Sequence, residues 1–460
     1  MLVTYVFVFL FLALILYFSY FLTIQRDSVI NNAYNARLDS FADRIVRGRI
    51  LGSGYEVLAE TKVGEDGSEQ RSYPYQNLFA HVVGYTGKGK TGLETLANFY
   101  LLSSHTNLAE QAYHELMGQK SQGDDVVTTL NVQLQQLAYD ALGNKRGAVV
   151  AMEPDTGKIL AMVSKPDFNP NTIAADWENM VSADNSSGQL LNRATQGLYP
   201  PGSTFKIVTA LEYMREHPND YKDFLYDCSG LLTEGEYQIR CYHGEAHGQV
   251  NFVDSFAQSC NGAFATMGLS LDLGKWKSLS EELLFGKELP LSLAYNKSSF
   301  VMGTGADTWE ILQTSIGQGG TQITPMHNLL ITAAIANGGV LMKPYLIDHV
   351  ESAVGQSVKK FTPSTYGSLL TAEESAQLTE LMQEVVKTGT GSALRDASYT
   401  AAGKTGSAEF ETGKESHAWF VGFAPVENPK IAVCVIVEEG GSGGRAAAPI
   451  ARKLMDAYLE

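Results

Sequence analysis

Cysteine is scarce in this chain. The 460 residues contain four cysteines, namely Cys228, Cys241, Cys260 and Cys434. This scarcity excludes a small secreted domain held by a dense disulfide framework. Cys228 and Cys241 could still form one bridge. Together with His243 and His247 they could instead form a metal site, but the two cysteines are further apart than the usual short ligand spacing, so the sequence favours no metal.

Positive charge is also in short supply. The chain has 34 Lys and Arg against 50 Asp and Glu, which gives a formal net charge of −16. A nucleic-acid partner is therefore not expected, because binding phosphates requires a basic surface. The hydrophobic content of 44% is that of an ordinary globular protein with large cores.

Charged side chains are missing from the first part of the chain, Met1 to Ile24. This stretch is long enough as a helix to cross a hydrocarbon core of ~30 Å. We predict an uncleaved membrane anchor over residues 1–24, because Tyr17 to Leu22 stays bulky where a signal peptide would have a small-x-small cleavage site. Arginines follow this stretch and no basic residue precedes it, so the positive-inside tendency taken alone would place the body in the cytoplasm.

The rest of the chain divides into two regions. Residues 25–122 begin with a polar segment, predicted to be helical to about Arg44, and continue with short strand-like pieces around an Asp66-Gly67 turn. From residue 123 to 460, strands and helices alternate with hairpin-length connections, which favours an α+β domain around an antiparallel sheet. We also predict helical structure over Asp254 to Leu269, a helix that starts at Thr371 with a Thr-x-x-Glu capping box ending in Glu374, and a closing helix over Ala446 to Tyr458. Three strands are predicted in the last third of the chain, over Ala402 to Glu409, His417 to Ala424 and Lys430 to Val437.

The first candidate motif is Ser203-Thr204-Phe205-Lys206. A serine hydroxyl is a poor nucleophile at neutral pH and needs an adjacent base, which Lys206 could supply one helical turn later. At a helix start, the Ser203 backbone N–H could also face a developing oxyanion. By itself the pattern is common, and a helix cap followed by a solvated lysine is the usual alternative.

Two further motifs could meet the first in space. In Ser259-Cys260-Asn261, the hydroxyl could relay a proton and the amide could hold a substrate carbonyl. In Gly403-Lys404-Thr405-Gly406-Ser407, a cation flanked by hydroxyls suits a carboxylate, and the glycines let a peptide approach the strand edge. Taken singly, either could be an ordinary polar turn or surface loop.

In this order and at these separations, the three motifs resemble those of the penicillin-binding proteins: S-x-x-K, a second Ser-x-Asn element and K-T-G. Residues Gly147 to Ser164, Gly317-Gln318-Gly319 and His417 to Phe423 look like further parts of the transpeptidase domain. Three pieces of the front region are similar to the pedestal module of class B members, which are monofunctional transpeptidases: Arg47-Gly48-Arg49-Ile50, Arg71-x-Tyr73-Pro74 and Gly92-Leu93-Glu94.

The resemblance implies that Ser203 attacks the penultimate D-Ala carbonyl of a peptidoglycan stem peptide and releases the terminal D-Ala. An amine of a neighbouring peptide then resolves the ester. Lys206 would be the base, and burial together with the charge of Lys404 would have to lower its pKa by about three units, at a cost of ~4 kcal/mol. β-Lactams would acylate the same serine.

The resemblance also assigns the remaining site residues. Ser259 would shuttle protons and Asn261 would orient substrate. Lys404 and Thr405 would meet the substrate carboxylate, Gly406 would lie at the strand edge, and the N–H groups of Ser203 and Ser407 would form the oxyanion hole. No cofactor or metal is implied. The implied partners are stem peptides, the membrane and a polytopic glycan polymerase contacting the anchor and pedestal, with the catalytic domain outside the cytoplasm.

Two other patterns suggest different functions. Gly84 to Thr91 satisfies the phosphate-loop pattern G-x-x-x-x-G-K-T, but its region is too small for a nucleotide-binding α/β core. Gly440 to Gly444 fits the nucleophile-elbow pattern G-x-S-x-G, which requires a later histidine, and no histidine follows Ser442. A glycine hinge explains the second pattern better.

Three alternatives keep the same fold. A D,D-carboxypeptidase or a serine β-lactamase would use water in place of the acceptor amine. A catalytically silent β-lactam sensor or scaffold would not turn over. The pedestal module favours the transpeptidase.

Overall fold

The structure, a computed structural model, describes residues 2–25, 42–106, 116–182, 187–303, 305–411 and 413–460. The predicted polar helix ending near Arg44 falls mainly on residues 26–41, outside the described residues. The strands are β1 (Ile45–Val46), β2 (Ile50–Leu51), β3 (Val57–Val63), β4 (Glu69–Ser72), β5 (Ser121–Gln122), β6 (Asp125–Thr128), β7 (Gly147–Met152), β8 (Ile159–Lys165), β9 (Leu225–Cys228), β10 (Leu231–Glu234), β11 (Tyr237–Arg240), β12 (Gly248–Asn251), β13 (Val340–Met342), β14 (Ile347–Glu351), β15 (Ser357–Lys360), β16 (Thr365–Ser368), β17 (Ala402–Ala408), β18 (His417–Ala424) and β19 (Ile431–Val437).

The α-helices, numbered in the same way, are α1 (Leu2–Tyr20), α2 (Ala80–Val83), α3 (Gly92–Leu96), α4 (Asn98–Leu101), α5 (Val132–Leu142), α6 (Ile173–Val181), α7 (Lys206–Glu216), α8 (Phe252–Ala257), α9 (Asn261–Ser270), α10 (Leu273–Glu282), α11 (Thr308–Ser315), α12 (Pro325–Ala336), α13 (Ala372–Lys387), α14 (Gly443–Ala446) and α15 (Ala448–Leu459). Short 3-10 turns cover Gln76–Phe79, Gly202–Phe205, Tyr221–Asp223, Tyr242–Gly244 and Ser392–Leu394.

A five-stranded antiparallel sheet in the order β17-β18-β19-β7-β8 forms the centre of the larger domain. Side chains alternate between its faces because the strand repeat is two residues. On β7, Val149 packs with helices α5 and α15, whereas Val150 packs into the core on the opposite face. Helix α12, buried along its length, lies against β7, β18 and β19. The helices therefore cover both faces of the sheet.

Local signals set several helix ends. Thr371 and Glu374 form the predicted capping box at the start of α13, each side chain bonding the other's backbone N–H. Thr324 caps α12 by accepting from the His327 N–H, and Pro325 follows at the first helical position.

A second sheet has the strand order β15-β14-β6-β2-β3-β4. Three of its strands, β2, β3 and β4, belong to the front region, and the other three lie beyond the predicted boundary at residue 122, which stays a prediction. Beside it, the pedestal motifs converge on the fully buried Glu94 carboxylate. Arg47 and Arg71 form ion pairs with it at 2.6 and 2.7 Å. The Tyr73 hydroxyl donates to it at 3.2 Å.

Among the described residues, one helix is long and apolar enough to cross a membrane. It covers Leu2–Thr23, has a mean hydropathy of 2.5, and none of it is buried against the rest of the chain. By length and composition it fits a membrane anchor or a signal sequence.

Candidate active site

Ser203 lies in the 3-10 turn Gly202–Phe205, immediately before helix α7 begins at Lys206. Gly202 has φ +54°, a conformation that favours glycine, and its N–H donates to the Gly317 carbonyl at 2.8 Å. The Trp419 indole N–H donates to the Pro200 carbonyl at 3.1 Å and ties the turn to β18. The serine is therefore presented on a turn that is fixed from two sides.

Lys206 is completely buried and its ammonium group reaches the second motif. Its Nζ donates to the Ser259 carbonyl at 2.6 Å, to Ser259 Oγ at 3.2 Å and to Asn261 Oδ1 at 2.7 Å. The Asn261 Nδ2 in turn donates to the Arg240 carbonyl at 2.8 Å. The first two predicted motifs thus meet in space.

Lys404, also completely buried, brings in the third motif. Its Nζ donates to Ser259 Oγ at 2.9 Å and to the Thr405 carbonyl at 3.1 Å. Two lysines from distant parts of the chain therefore contact the same hydroxyl oxygen of Ser259.

Burial dominates the electrostatics of both lysines. It lowers the pKa of Lys206 to about 8, although the nearby Cys260 and Cys241 sulfurs oppose the change. Burial, followed by repulsion from Lys206, lowers the pKa of Lys404 well below its usual value. The predicted repulsion thus acts on Lys404, and burial is what lowers the pKa of Lys206.

Ser259 interrupts the helix predicted over Asp254 to Leu269. The prediction is wrong for residues 258–260 alone, because α8 ends at Ala257 and α9 begins at Asn261. Ser259 has φ +58°, the left-handed region in which a non-glycine residue costs about 1–3 kcal/mol. At this break, Ser259 Oγ contacts both lysines.

A cavity of about 820 Å³ opens above these groups. The predicted residues that line it are Ser203, Ser259, Asn261, Thr405, Gly406 and Ser407. Lys206 and Lys404 are buried beneath its floor. The cavity is large enough for a peptide segment, and its lining carries hydroxyl and amide groups that can orient one.

Comparisons with known proteins cover both regions of the chain. The family profile described as "Penicillin binding protein transpeptidase domain" matches residues 147–456, and "Penicillin binding protein A dimerisation domain" matches residues 47–126. The peptidoglycan D,D-transpeptidase PbpA of Mycolicibacterium smegmatis is 34% identical over 445 residues, which cover 90% of this chain and 89% of the relative.

Solved structures show the same likeness. The imipenem acyl-enzyme complex of penicillin-binding protein A from M. tuberculosis has a TM-score of 0.82 and 30% identity, covering 92% of this chain and all of that one. A D,D-transpeptidase domain from Eggerthella lenta has a TM-score of 0.81 and 31% identity, covering 90% of this chain and 98% of that chain. The chain belongs to the penicillin-binding protein transpeptidases. The predicted family, class B type and α+β fold are confirmed.

Sequence reasoning missed several residues around the cavity of this penicillin-binding protein. Thr390, which follows α13, has its Oγ1 2.5 Å from Thr405 Oγ1. Trp309 lines the cavity and packs against Tyr237 with ring centroids 5.4 Å apart. No local pattern marks these residues, because they reach the site through the fold alone.

Gly443 had a visible signal, the glycine run 440–444. Residues 440–442 of this run lie between β19 and α14, and Gly443 and Gly444 begin α14. The run also lies against the Lys404 strand: a Cβ on Gly443 would be 2.2 Å from the Trp419 carbonyl oxygen and 2.4 Å from that of Gly406. Only glycine allows this contact.

The phosphate-loop pattern lacks its structural context in the penicillin-binding protein. Residues 84–91 follow the four-residue helix α2 and precede the five-residue helix α3. A phosphate loop joins a strand to a helix, so the segment does not form one.

The four cysteines are all free thiols, and Cys228 Sγ lies 3.6 Å from Cys241 Sγ without a bridge.

Proposed function

We propose that this protein is a peptidoglycan D,D-transpeptidase that cross-links stem peptides through an acyl-enzyme on Ser203. The relative from M. smegmatis carries the name of that activity, and the relative from M. tuberculosis forms an acyl-enzyme with imipenem. Both similarities extend over about nine-tenths of the chain.

One observation carries the proposal: Lys206 and Lys404 both donate to Ser259 Oγ, beneath a cavity that Ser203 lines. Buried ammonium groups are costly, and two that share one hydroxyl oxygen are more so. A merely structural lysine would extend toward solvent or pair with a carboxylate. The arrangement instead favours a base that is neutral near physiological pH.

Acylation begins when neutral Lys206 accepts the proton of Ser203 as Oγ attacks the penultimate D-Ala carbonyl carbon. The backbone N–H groups of Ser203 and Ser407 stabilise the oxyanion of the tetrahedral intermediate. When the C–N bond breaks, the proton passes through Ser259 to the leaving amine of D-Ala. An acceptor amine then attacks the ester, gives up its proton by the same route, and regenerates the Ser203 hydroxyl.

The Thr405 hydroxyl faces the cavity and suits the terminal carboxylate of the donor peptide. Lys404 lies beneath the cavity floor, where it holds Ser259 by a hydrogen bond and contributes positive potential to the cavity. A direct contact between Lys404 and the carboxylate would require it to leave Ser259.

The mass of the penicilloyl peptide tests whether Ser203 is the nucleophile. Incubation with a penicillin should place the adduct on the peptide containing Ser203, and Ser203→Ala should abolish labelling while leaving the fold intact. As a matched control, Ser442→Ala removes another serine of the cavity lining and should still be labelled. An adduct on any other serine contradicts the proposal, as does labelling of Ser203→Ala.

Product analysis separates the alternatives. A transpeptidase given donor stem peptides and an acceptor amine yields cross-linked dimers, whereas a carboxypeptidase only hydrolyses the donor peptide. A β-lactamase would instead release hydrolysed penicillin. A silent sensor or scaffold would be labelled by penicillin without turning over stem peptides.

The location follows from the substrate, which lies outside the cytoplasm. Helix α1 would anchor the chain as a single span, with the catalytic domain on the outer side and a polytopic glycan polymerase contacting the anchor and pedestal. Protease added outside intact spheroplasts should degrade the catalytic domain. Full protection would place it in the cytoplasm, as the arginines after the span would suggest.

A further inference from the structure

Three cysteines and one histidine converge beside the active site. They are Cys228, Cys241, Cys260 and His247, whose sulfur atoms and ring nitrogen all lie within 4.8 Å of one another. The metal site considered from the sequence contained His243, which lies outside this group, and lacked Cys260. Each ligand comes from a different segment, so sequence spacing could not reveal the set.

The fold brings the four segments together by strand pairing. Cys228 ends β9, and Gly248 at the start of β12 is its antiparallel partner, so the preceding His247 lies next to it. Cys241 directly follows β11, and Cys260 caps α9. These positions are set by backbone structure and do not depend on flexible side chains.

The distances suit a tetrahedral metal. Cys228 Sγ is 3.6 Å from Cys241 Sγ, and Cys241 Sγ is 3.9 Å from Cys260 Sγ. Two sulfurs bound to a tetrahedral zinc at about 2.3 Å each lie about 3.8 Å apart. The His247 Nδ1 is 3.3 Å from Cys228 Sγ, close to the slightly shorter sulfur–nitrogen separation of such a site. A disulfide would need about 2.05 Å.

The surroundings support thiolate ligands. The three cysteines are at most 3% exposed. A buried shell of this kind controls the access of solvent to a metal. Cys241 and His247 also line the active-site cavity, which offers an entry path for an ion.

We propose that Cys228, Cys241, Cys260 and His247 bind one zinc ion that fixes the Ser259-Cys260-Asn261 segment in its active position. Three thiolates and one imidazole complete the tetrahedron, so the ion has a structural role and no open coordination position. Cys260 is bonded through the backbone to both Ser259 and Asn261, the two residues that Lys206 contacts.

The strained backbone at Ser259 explains why a zinc ion bound to the neighbouring Cys260 would be useful. Ser259 is held at φ +58° between two helices, and a strained residue persists only where its surroundings fix it. A zinc ion that ties Cys260, the residue after Ser259, to β9, β11 and the start of β12 would hold the Ser259 hydroxyl at the two lysines. Loss of the ion would release this turn without removing any group that takes part in the reaction.

Metal analysis of the full chain purified in detergent tests the site directly. We expect one zinc per chain, and cobalt(II) in its place should give the intense absorption of a tetrahedral thiolate site. His247→Ala should lose the metal and, because this side chain is half-buried, is the variant best tolerated by the fold. Cys434→Ala, which removes the cysteine in β19, is the matched control and should keep one zinc.

The positioning role has its own readout and rests on the proposed acylation of Ser203. His247→Ala should be acylated by penicillin at least about tenfold more slowly, the usual effect of disturbing the surroundings of a metal. His247→Cys supplies a fourth thiolate and should restore both zinc and acylation rate. Ser203→Ala should bind zinc normally, so failure of the metal site and failure of the nucleophile assignment can be told apart.

Several results would overturn the proposal. The site is refuted if the purified protein contains no zinc and binds none when zinc is supplied, or if peptide mapping finds a disulfide among Cys228, Cys241 and Cys260. It is also refuted if His247→Ala and Cys260→Ala each keep one zinc. Zinc removal that leaves the acylation rate unchanged would refute the positioning role.

Discussion

The pKa of Lys206 makes a quantitative prediction about acylation. Because burial lowers this pKa to about 8, half of the protein holds neutral Lys206 at pH 8. At pH 6 the neutral fraction is about 1%, so the second-order rate constant for penicillin acylation should fall about 50-fold from pH 8 to pH 6. It should level off above about pH 9, once the base is fully neutral. Protonation removes the base, so the rate must rise with pH.

The assay is stopped-flow fluorescence with a labelled penicillin whose own ionisable groups titrate outside this range. Glu212 on α7 could interfere, because burial and the Glu216 carboxylate raise its pKa to about 7. The Glu212→Gln variant removes that titration and should keep the inflection near pH 8. The buried His81 and His327 have pKa values lowered to about 4 and do not titrate in this window. A flat profile from pH 6 to 8 would contradict a base with a pKa near 8, and an inflection near 10 would refute the effect of burial on Lys206.

Two further predictions concern packing. Glu94→Gln should lower the free energy of unfolding by about 3–5 kcal/mol in a denaturant titration, because it leaves two buried guanidinium groups uncompensated. Glu60→Gln, whose partly exposed side chain pairs with the exposed Lys62, should cost under about 1 kcal/mol. Equal effects would contradict the buried network. Gly443→Ala should slow acylation, because its Cβ would meet two carbonyl oxygens at 2.2 and 2.4 Å and displace the Lys404 strand. In Gly367→Ala the added Cβ meets nothing within 4 Å, so this variant should be acylated at the normal rate. A normal acylation rate in Gly443→Ala would show that the strand carrying Lys404 can move to make room for the Cβ.

Local sequence signals predicted much of the fold. The capping box of Thr371 and Glu374 starts α13 as expected, because its hydrogen bonds join residues three apart. The strands predicted over 402–409, 417–424 and 430–437 correspond to β17, β18 and β19 within one or two residues. Continuous apolar runs between turns are sufficient to mark such buried strands. The motif residues of the site could be named for the same reason, since each motif is a short stretch of chain.

Amino-acid order alone determined the chemistry available here: a serine, two lysines, a second hydroxyl and an amide, in three short motifs. The tertiary structure decided what those groups do to one another. It broke the predicted helix at Ser259, placed two lysines on that hydroxyl, and brought Cys260 to Cys228, Cys241 and His247. None of these contacts has a period or a local pattern, because burial and strand pairing join residues that are far apart in the chain.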